Sequence, residues 1–196
     1  VVGNITVGGT GKTPIVLALV EYLQSIGLKP GVVSRGYGAT GESFPYTVHA
    51  KSTAADCGDE SLLLFLRTGC PCVVAPRRAD AVQALLKHTE VDLILSDDGL
   101  QHYALARDME IAVVDADRGL GNGFCLPAGP LREPESRLRE VDHVLYRGSS
   151  DPEQGVVYSP LSLVNLANAE QRSVTPDVLG REVYAVAAIG QPRQFF

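Results

Sequence analysis

The sequence has no long apolar run. No stretch reaches the ~18 consecutive apolar residues that indicate a membrane span, and no secretory signal peptide is visible. Internal repeats and low-complexity segments are also absent from the sequence. Hydrophobic residues make up 45% of the 196 residues, which argues for a packed core, and the formal net charge of −6 argues against a broad nucleic-acid-binding surface. We therefore expect a folded chain that has no nucleic-acid partner.

Cysteine and methionine are scarce as well. The four cysteines are Cys57, Cys70, Cys72 and Cys125. The spacing of Cys70 and Cys72 fits neither a C-x-x-C redox pair nor a zinc site, so we expect free thiols, which suit a reducing cytosol. The only methionine is Met109, and the chain opens at Val1 inside a predicted strand. We interpret the sequence as a piece of a longer protein.

Apolar runs alternate with helical patterns along most of the chain. The predicted strands cover residues 1–6, 31–34, 72–76, 91–98, 110–117 and 143–148, and the predicted helices cover residues 14–26, 60–68, 78–88 and 136–142. Strands that are apolar throughout and alternate with helices predict an α/β fold with a mostly parallel sheet and helices on both faces. Ligands of such sheets bind at the carboxyl ends of the strands.

The composition changes near Ser149, where the polar segment SSDPEQG follows. We predict one domain over residues 1–148 and a linker with an incomplete, smaller C-terminal lobe over residues 149–196. Strands of this second lobe are predicted within residues 156–166 and 181–190.

The segment NITVGGTGKTPIV, residues 4–16, is typical of a phosphate-binding loop, G-x-x-x-x-G-K-[ST], although Thr6 stands where the pattern has its first glycine. Thr6 fits if its backbone angles are ordinary. Lys12 would reach the β- and γ-phosphates of a nucleotide, and Thr13 would bind Mg²⁺. The predicted nucleotide-binding residues are Thr6, Val7, Gly8, Gly9, Thr10, Gly11, Lys12 and Thr13. The segment predicts a P-loop NTPase-type domain, and the alternative is a plain turn with a solvated lysine.

A second glycine segment, GYGATG at residues 36–41, matches the dinucleotide pattern G-x-G-x-x-G. No helical pattern follows it, so the pyrophosphate would lose its main binding site. We interpret this segment as a flexible glycine loop.

Carboxylates follow two of the apolar strands. Asp97 and Asp98 end LILSDD and are the better candidates for the second Mg²⁺ anchor, while Asp115 in IAVVD is a rival. Asp59 and Glu60 precede an apolar helix, where they either cap the helix or orient the hydroxyl of a kinase substrate.

The histidines and arginines give weaker signals. His102 in DDGLQH could orient a phosphate or a metal ligand, or could be a partly exposed histidine at a strand end. Arg77, Arg78 and Arg132 could each bind phosphate in bidentate fashion or simply lie on the surface.

Six motifs occur together in one order: VGNITVGGTGKTP, SRGYG, GDE, DDGLQH, GNG…LPAGPLRE and AIGQPRQFF. In this order the chain resembles the tetraacyldisaccharide 4′-kinase family of the lipid A pathway over essentially its whole length. A Thr or Ser in place of the first P-loop glycine is similar to that family's own habit. The resemblance implies a kinase that uses ATP and Mg²⁺ to phosphorylate the 4′-hydroxyl of a tetraacylated glucosamine disaccharide 1-phosphate. It also implies work at the cytoplasmic face of the inner membrane of Gram-negative bacteria.

The resemblance implies a role for each matching residue. Lys12 and Thr13 would bind ATP and Mg²⁺, and Asp59 would accept the proton of the sugar hydroxyl. The remaining roles are these: Glu60 near the metal, Asp97 and Asp98 as the Walker B pair, Gln101 and His102 lining the site, Arg78 and Arg132-Glu133 as catalytic or substrate-orienting groups, and Tyr37 near the lipid headgroup.

Two departures from the family matter. Family members carry an N-terminal apolar anchor, and a C-terminal histidine that pairs with the catalytic aspartate. We expect this chain to start after the first and to stop before the second, so that it would bind nucleotide and catalyse poorly. Because a lipid acceptor stays in the bilayer, we expect peripheral membrane contact through the missing anchor.

Rival functions are a P-loop switch ATPase acting on a protein partner and a kinase for a soluble metabolite. A GTPase is disfavoured, because no Asn-Lys-x-Asp motif surrounds any of the four lysines, Lys12, Lys29, Lys51 and Lys87.

Overall fold

A computed structural model of the chain describes residues 1–41, 43–165, 167–173 and 186. Its strands are β1 (Val2–Gly3), β2 (Pro30–Ser34), β3 (Tyr46–Thr47), β4 (Cys72–Val74), β5 (Leu93–Ser96), β6 (Ile111–Asp115), β7 (His143–Arg147), β8 (Gly155–Val156), β9 (Ser162–Val164) and β10 (Gln171–Ser173). Its helices are α1 (Lys12–Ser25), α2 (Ala54–Cys57), α3 (Asp59–Thr68), α4 (Arg78–His88) and a 3₁₀ helix (Glu135–Arg139).

Two four-stranded sheets form the centre of the fold, with the strand orders β3-β4-β2-β5 and β1-β6-β7-β8. All neighbouring strands in them are parallel except β3, which is antiparallel to β4. A parallel bridge between Val2 and Asp97 joins the two sheets, and the Gly99 N–H donates to the Val2 carbonyl at 3.2 Å. The prediction of a mostly parallel α/β sheet is therefore confirmed.

Helices cover both faces of the sheet. Val32 of β2 is buried in a cluster that includes Val16 of α1 and Leu64 of α3. Val33, the next residue, is buried on the opposite face together with Leu85 of α4. Because successive strand residues point to opposite faces, the apolar run of β2 needs a helical layer on each side.

The ends of α1 follow from local sequence. Gly11 precedes the helix with a φ of 79°, and Gly27 follows it with a φ of 87°, both in the left-handed region that favours glycine. Pro14 lies in the first turn, where its missing N–H costs no intrahelical hydrogen bond.

Most predicted elements are present, with some shifts at their ends. The helix predicted over residues 78–88 coincides with α4. The strand predicted over residues 1–6 is wrong beyond Gly3, because the chain turns there into the glycine loop. The helix predicted over residues 136–142 is a 3₁₀ helix. The short elements β3 and α2 were not predicted.

Three short strands follow residue 148 within the described part of the chain. Strand β8 pairs with β7 and so extends the central sheet past that residue, whereas β9 and β10 form a separate antiparallel pair. The division into residues 1–148 and 149–196 stays a prediction, and the strand predicted within 181–190 lies outside the described residues except for residue 186.

Two expectations from composition can be compared with the fold. The cysteines are free, with three buried and Cys125 exposed. Among the described residues, no helix has both the length and the hydrophobicity that crossing a bilayer requires.

Candidate active site

The glycine loop connects β1 to α1, as predicted, and residues 130–132 support it from one side. The Val7 N–H donates to the Pro130 carbonyl at 2.8 Å, and the Arg132 N–H donates to the Ile5 carbonyl at 2.6 Å. These backbone bonds bring Arg132 to the loop even though about 120 residues separate the two in the sequence.

Thr6 holds the first position of the loop without backbone strain. In the described part of the chain, positive φ angles outside glycine occur only at Asp98 and Ala169. The buried Asn4 amide donates to the Thr6 carbonyl at 2.8 Å and to its hydroxyl at 3.3 Å, and accepts a bond from Lys12 Nζ at 3.1 Å. Thr6 thus has the ordinary backbone angles that the sequence analysis required, and through Asn4 it helps to orient Lys12.

The N-terminus of α1 has no side-chain cap and no acidic residue in its first turn. Its first N–H groups and the positive end of the helix dipole therefore have no anionic partner within that turn. This arrangement suits a phosphate group.

A cavity of about 750 Å³ lies beside the loop, at the carboxyl ends of the strands. The predicted site residues that line it are Gly8, Gly9, Lys12, Tyr37, Glu60, Arg78, Asp98, Gln101, His102 and Arg132. The structure therefore brings together side chains from the glycine loop, α3, α4 and the loop after β5, as expected for a ligand site at a strand edge.

Asp97 is a buried carboxylate next to this cavity. It is 1% exposed, and within the described residues neither of its side-chain oxygens has a hydrogen-bond partner. Burial, together with the charge of Glu60, raises the pKa of Asp97 to about 7, and Lys12 partly opposes this rise. A buried carboxylate without a partner is unfavourable when ionised, and a bound cation would stabilise its ionised form.

Asp98 differs from its neighbour because two cations contact it. Lys12 Nζ lies 3.3 Å from its carboxylate, and Arg132 Nη1 lies 3.1 Å from both of its oxygens. Burial alone would raise the pKa of Asp98, but Lys12 and Arg132 outweigh burial and hold it below its usual value. The residue also has a φ of 47°, a left-handed angle that is uncommon outside glycine.

Thr13 and Glu60 are in direct contact. The Thr13 hydroxyl donates to Glu60 Oε1 at 3.2 Å, although α1 and α3 lie far apart in the sequence. No three His, Cys, Asp or Glu side chains in the described ranges converge closely enough to hold a metal by themselves. Mg²⁺ keeps several waters and takes phosphate oxygens, so it needs few protein ligands, and the predicted set of Thr13, Glu60, Asp97 and Asp98 stays a prediction.

Asp59 lies at the first position of α3 and is exposed. Its carboxylate accepts the N–H of Glu60 at 3.0 Å, and it is not among the residues that line the cavity. The helix-end role weighed in the sequence analysis is therefore visible, and the role as a base stays a prediction.

Arg78 and His102 contact each other at the back of the cavity. The backbone N–H of Arg78 donates to His102 Nε2 at 3.2 Å. The guanidinium of Arg78 donates to the carbonyls of Asp97 and Asp98 at 3.4 and 3.3 Å. Burial, followed by the charges of Arg78, Arg107 and Arg35, lowers the pKa of His102, so its imidazole is neutral near pH 7. Arg78, at 4% exposure, thus holds the Asp97-Asp98 turn.

Gln101 links Arg132 to Glu133. Its amide nitrogen donates to Glu133 at 2.6 Å and to the Asn4 carbonyl at 3.0 Å, and its oxygen accepts from Arg132 Nη1 at 3.1 Å. The other Glu133 oxygen accepts the Tyr103 hydroxyl and lies 3.3 Å from Arg137 Nε. Both carboxylate oxygens of Glu133 therefore have partners, and Glu133 orients Gln101 without lining the cavity.

Sequence reasoning missed Arg35. This exposed side chain lines the cavity directly after β2, and no ion pair involving it is found in the described part of the chain. Its position just past a buried strand, inside SRGYG, was the available signal.

The rival carboxylate Asp115 is engaged elsewhere. It is 2% exposed, forms an ion pair with Arg147, and accepts N–H groups from Asp117 and Arg118 at 3.1 and 3.2 Å. Asp97 is accordingly the better metal candidate of the two. The GYGATG segment is followed by a bend and β3 and not by a helix, as its interpretation requires.

Known proteins resemble this chain over its whole length. It is 52% identical over 199 residues to tetraacyldisaccharide 4′-kinase of Pseudomonas aeruginosa and 56% identical over 199 residues to that of Ectopseudomonas mendocina. Each match covers 100% of this chain, which itself spans 60% of the length of the relative. The crystal structure of LpxK from Aquifex aeolicus in complex with ATP matches with a TM-score of 0.70 and 25% identity, covering 91% of this chain and 59% of the other.

A family model described as tetraacyldisaccharide-1-P 4′-kinase matches residues 1–196. Because this match includes every residue of the sequence, the chain belongs to the tetraacyldisaccharide-1-P 4′-kinase family.

Proposed function

We propose that the intact protein containing this chain is a lipid kinase of lipid A biosynthesis. It transfers the γ-phosphate of ATP to the 4′-hydroxyl of tetraacyldisaccharide 1-phosphate. Family membership and the ATP complex of the Aquifex aeolicus relative support this proposal. The observation that carries it is the uncapped N-terminus of α1 after the glycine loop, where Lys12 contacts Asp98 and Thr13 contacts Glu60 beside the cavity.

The glycine loop would hold the triphosphate. The first N–H groups of α1 would bind phosphate oxygens, and Lys12 would exchange part of its contact with Asp98 for the β- and γ-phosphates. Thr13, Glu60 and Asp97 would hold Mg²⁺, with Asp98 as a further candidate. Bound there, Mg²⁺ would neutralise charge on the phosphate oxygens. Its field would also keep Asp97 ionised at neutral pH.

The transfer itself requires a proton acceptor. The sugar oxygen forms a bond to the γ-phosphorus, the bond from that phosphorus to the β–γ bridging oxygen breaks, and ADP leaves. The hydroxyl proton would pass to the Asp59 carboxylate. His102 is a poorer candidate, because its Nε2 already accepts the Arg78 N–H. Arg132 and Gln101, fixed by Asp98 and Glu133, would orient the acceptor and the phosphate.

A radiolabel assay tests the proposal. The intact protein receives ATP labelled at the γ-phosphate, Mg²⁺ and detergent-dispersed disaccharide 1-phosphate, and a Lys12→Ala variant serves as the control. We expect label in the lipid, and its loss in the variant. Turnover of ATP without labelled lipid would refute the kinase and favour an ATPase that acts on a protein partner.

We propose further that the protein works at the cytoplasmic face of the bacterial inner membrane. The acyl chains of the acceptor stay in the bilayer, so its sugar must be reached at the membrane surface. Arg35, Arg78 and Arg132 line the cavity and supply positive charge there, while an N-terminal apolar anchor would supply membrane affinity. Flotation with liposomes, with and without the anchor, checks this point, and equal binding would contradict it.

A further inference from the structure

The last glycine of the loop is covered by two side chains from distant parts of the sequence. The Tyr158 hydroxyl donates to the Gly11 carbonyl. A Cβ placed on Gly11 would lie 2.6 Å from Tyr158 Oη and 2.6 Å from Arg147 Cδ. Tyr158 and Arg147 therefore lie directly over this glycine. Arg147 is the last residue of β7, and Tyr158 follows the end of β8.

The hydrogen bond from Tyr158 fixes the orientation of one peptide unit. In a trans peptide the C=O and N–H groups point in opposite directions, so the bonded Gly11 carbonyl sets the direction of the Lys12 N–H. Gly11 precedes α1, where helical geometry aims this N–H out of the helix N-terminus, toward the place of a bound phosphate. The φ of Gly11 is 79°, and glycine adopts such angles and their alternatives with little cost. The Gly11 carbonyl, at the N-cap of α1, also accepts the first intrahelical hydrogen bond, so losing the Tyr158 bond would loosen this peptide unit without releasing it.

The central sheet fixes the positions of Tyr158 and Arg147. Strand β8 pairs with β7 through Tyr146–Gly155 and Arg147–Val156, which places Tyr158 two residues beyond the sheet. Arg147 is buried and ion-paired with the buried Asp115 of β6. Tyr158 is 41% exposed, yet partial burial of its hydroxyl raises the pKa of Tyr158 to about 12, so the hydroxyl keeps its proton at physiological pH.

We propose that Tyr158 is a positioning residue for ATP, which holds the Gly11–Lys12 peptide in the phosphate-binding orientation. A residue outside the predicted core of residues 1–148 thereby completes the nucleotide site. This inference rests on the nucleotide site of the proposed function and adds a residue that the P-loop motif does not contain.

Two measurements on the intact protein test Tyr158→Phe, with Tyr22→Phe as the matched control. Tyr22 is 61% exposed on α1, and its variant loses the same oxygen atom. Calorimetric titration with Mg-ATP gives the affinity, and steady-state kinetics give KM for ATP and kcat. Hydrogen exchange of the segment 8–14 without nucleotide reports on the loop itself.

We expect Tyr158→Phe to weaken ATP binding by about three- to tenfold, the loss typical of one hydrogen bond. KM for ATP should rise by a similar factor, kcat at saturating ATP should change less than twofold, and exchange of the loop should accelerate. Tyr22→Phe should match the wild type in every measurement.

Equal ATP affinity in Tyr158→Phe and wild type would overturn the inference. So would a lower affinity with unchanged exchange of the loop, because the tyrosine would then act on the nucleotide directly. A wild-type protein that binds no ATP would instead refute the proposed function, and the exchange measurement would still decide whether Tyr158 holds the loop.

Discussion

Replacing Asp97 with asparagine should stabilise the protein at neutral pH while it abolishes catalysis. The wild-type carboxylate is buried without a hydrogen-bond partner among the described residues, and burial raises its pKa to about 7. Asparagine has nearly the same shape and carries no charge. The substitution therefore removes an unfavourable buried charge and, with it, a proposed ligand of Mg²⁺.

The size of this effect follows from proton linkage. The unfolded chain loses the Asp97 proton near pH 4, and the folded chain loses it near pH 7. Between these values the folded state holds one proton more, so the stability of the wild type falls as pH rises from about 4 to about 7. The full difference corresponds to about 4 kcal/mol as an upper bound, and asparagine does not contribute this pH dependence.

Differential scanning calorimetry of the intact protein, without nucleotide or metal, at pH 5 and at pH 8 measures the effect. The melting temperature of Asp97→Asn relative to wild type should be several degrees higher at pH 8 than at pH 5. Burying the asparagine amide also costs free energy, but this cost does not change with pH. The informative quantity is therefore the change with pH of the difference in melting temperature between Asp97→Asn and wild type. Added Mg-ATP should stabilise the wild type more than the variant, because the variant keeps the glycine loop and Lys12 but lacks one proposed Mg²⁺ ligand.

Asp115→Asn is the matched control, because Asp115 also ends a strand and is buried. Its carboxylate pairs with Arg147, so this substitution should destabilise the protein at both pH values by about 3–5 kcal/mol. A relative melting temperature of Asp97→Asn that is the same at pH 5 and pH 8 would refute the reasoning. Asp97 would then not be an unpaired charge in the folded protein.

Three further substitutions test other parts of the site. Asp59→Ala should lower kcat by ~10²–10⁴ with an unchanged KM for ATP, and a loss confined to that KM would indicate metal binding instead. Arg35→Ala should raise KM for the lipid about tenfold and KM for ATP less than twofold, since its charge faces the cavity and has no ion pair among the described residues; equal effects on both substrates would contradict this. Glu133→Gln should lower the free energy of unfolding by about 1–3 kcal/mol in urea titrations, because it breaks the ion pair with Arg137, and an unchanged value would show that the pair contributes nothing.

Much of the fold could be predicted because its signals are local. The pattern of residues 78–88 gives α4 directly, and the all-apolar β2 gives a strand buried on both faces. The two-residue strand β3 could not be predicted, because its pairing with β4 depends on a partner about 27 residues away and not on its own sequence. The pairing of β8 with β7 was missed for a different reason, since the polar segment between them is typical of a linker.

The candidate site also has a part that could be predicted from sequence and a part that could not. The loop around Lys12 and the pair Asp97-Asp98 follow from motifs, because each motif is contiguous and its chemistry depends on backbone geometry. The contacts of Gln101 with Glu133 and of Tyr158 with Gly11 join segments 32 and 147 residues apart. Such contacts arise only when the sheet brings strand ends together, and no single stretch of sequence contains them.

The bridge between Val2 and Asp97 has a mechanical consequence. Lys12 follows β1 and Asp97 follows β5, so the two sides of the site stand on different sheets that meet at this seam. A slip of one residue along the seam, about 3.3 Å, equals the whole distance from Lys12 Nζ to Asp98. A nucleotide and its cation would contact both sides at once and act as a cross-link. Under a pulling force, we therefore expect the seam to rupture early in the ligand-free protein and late in the loaded one.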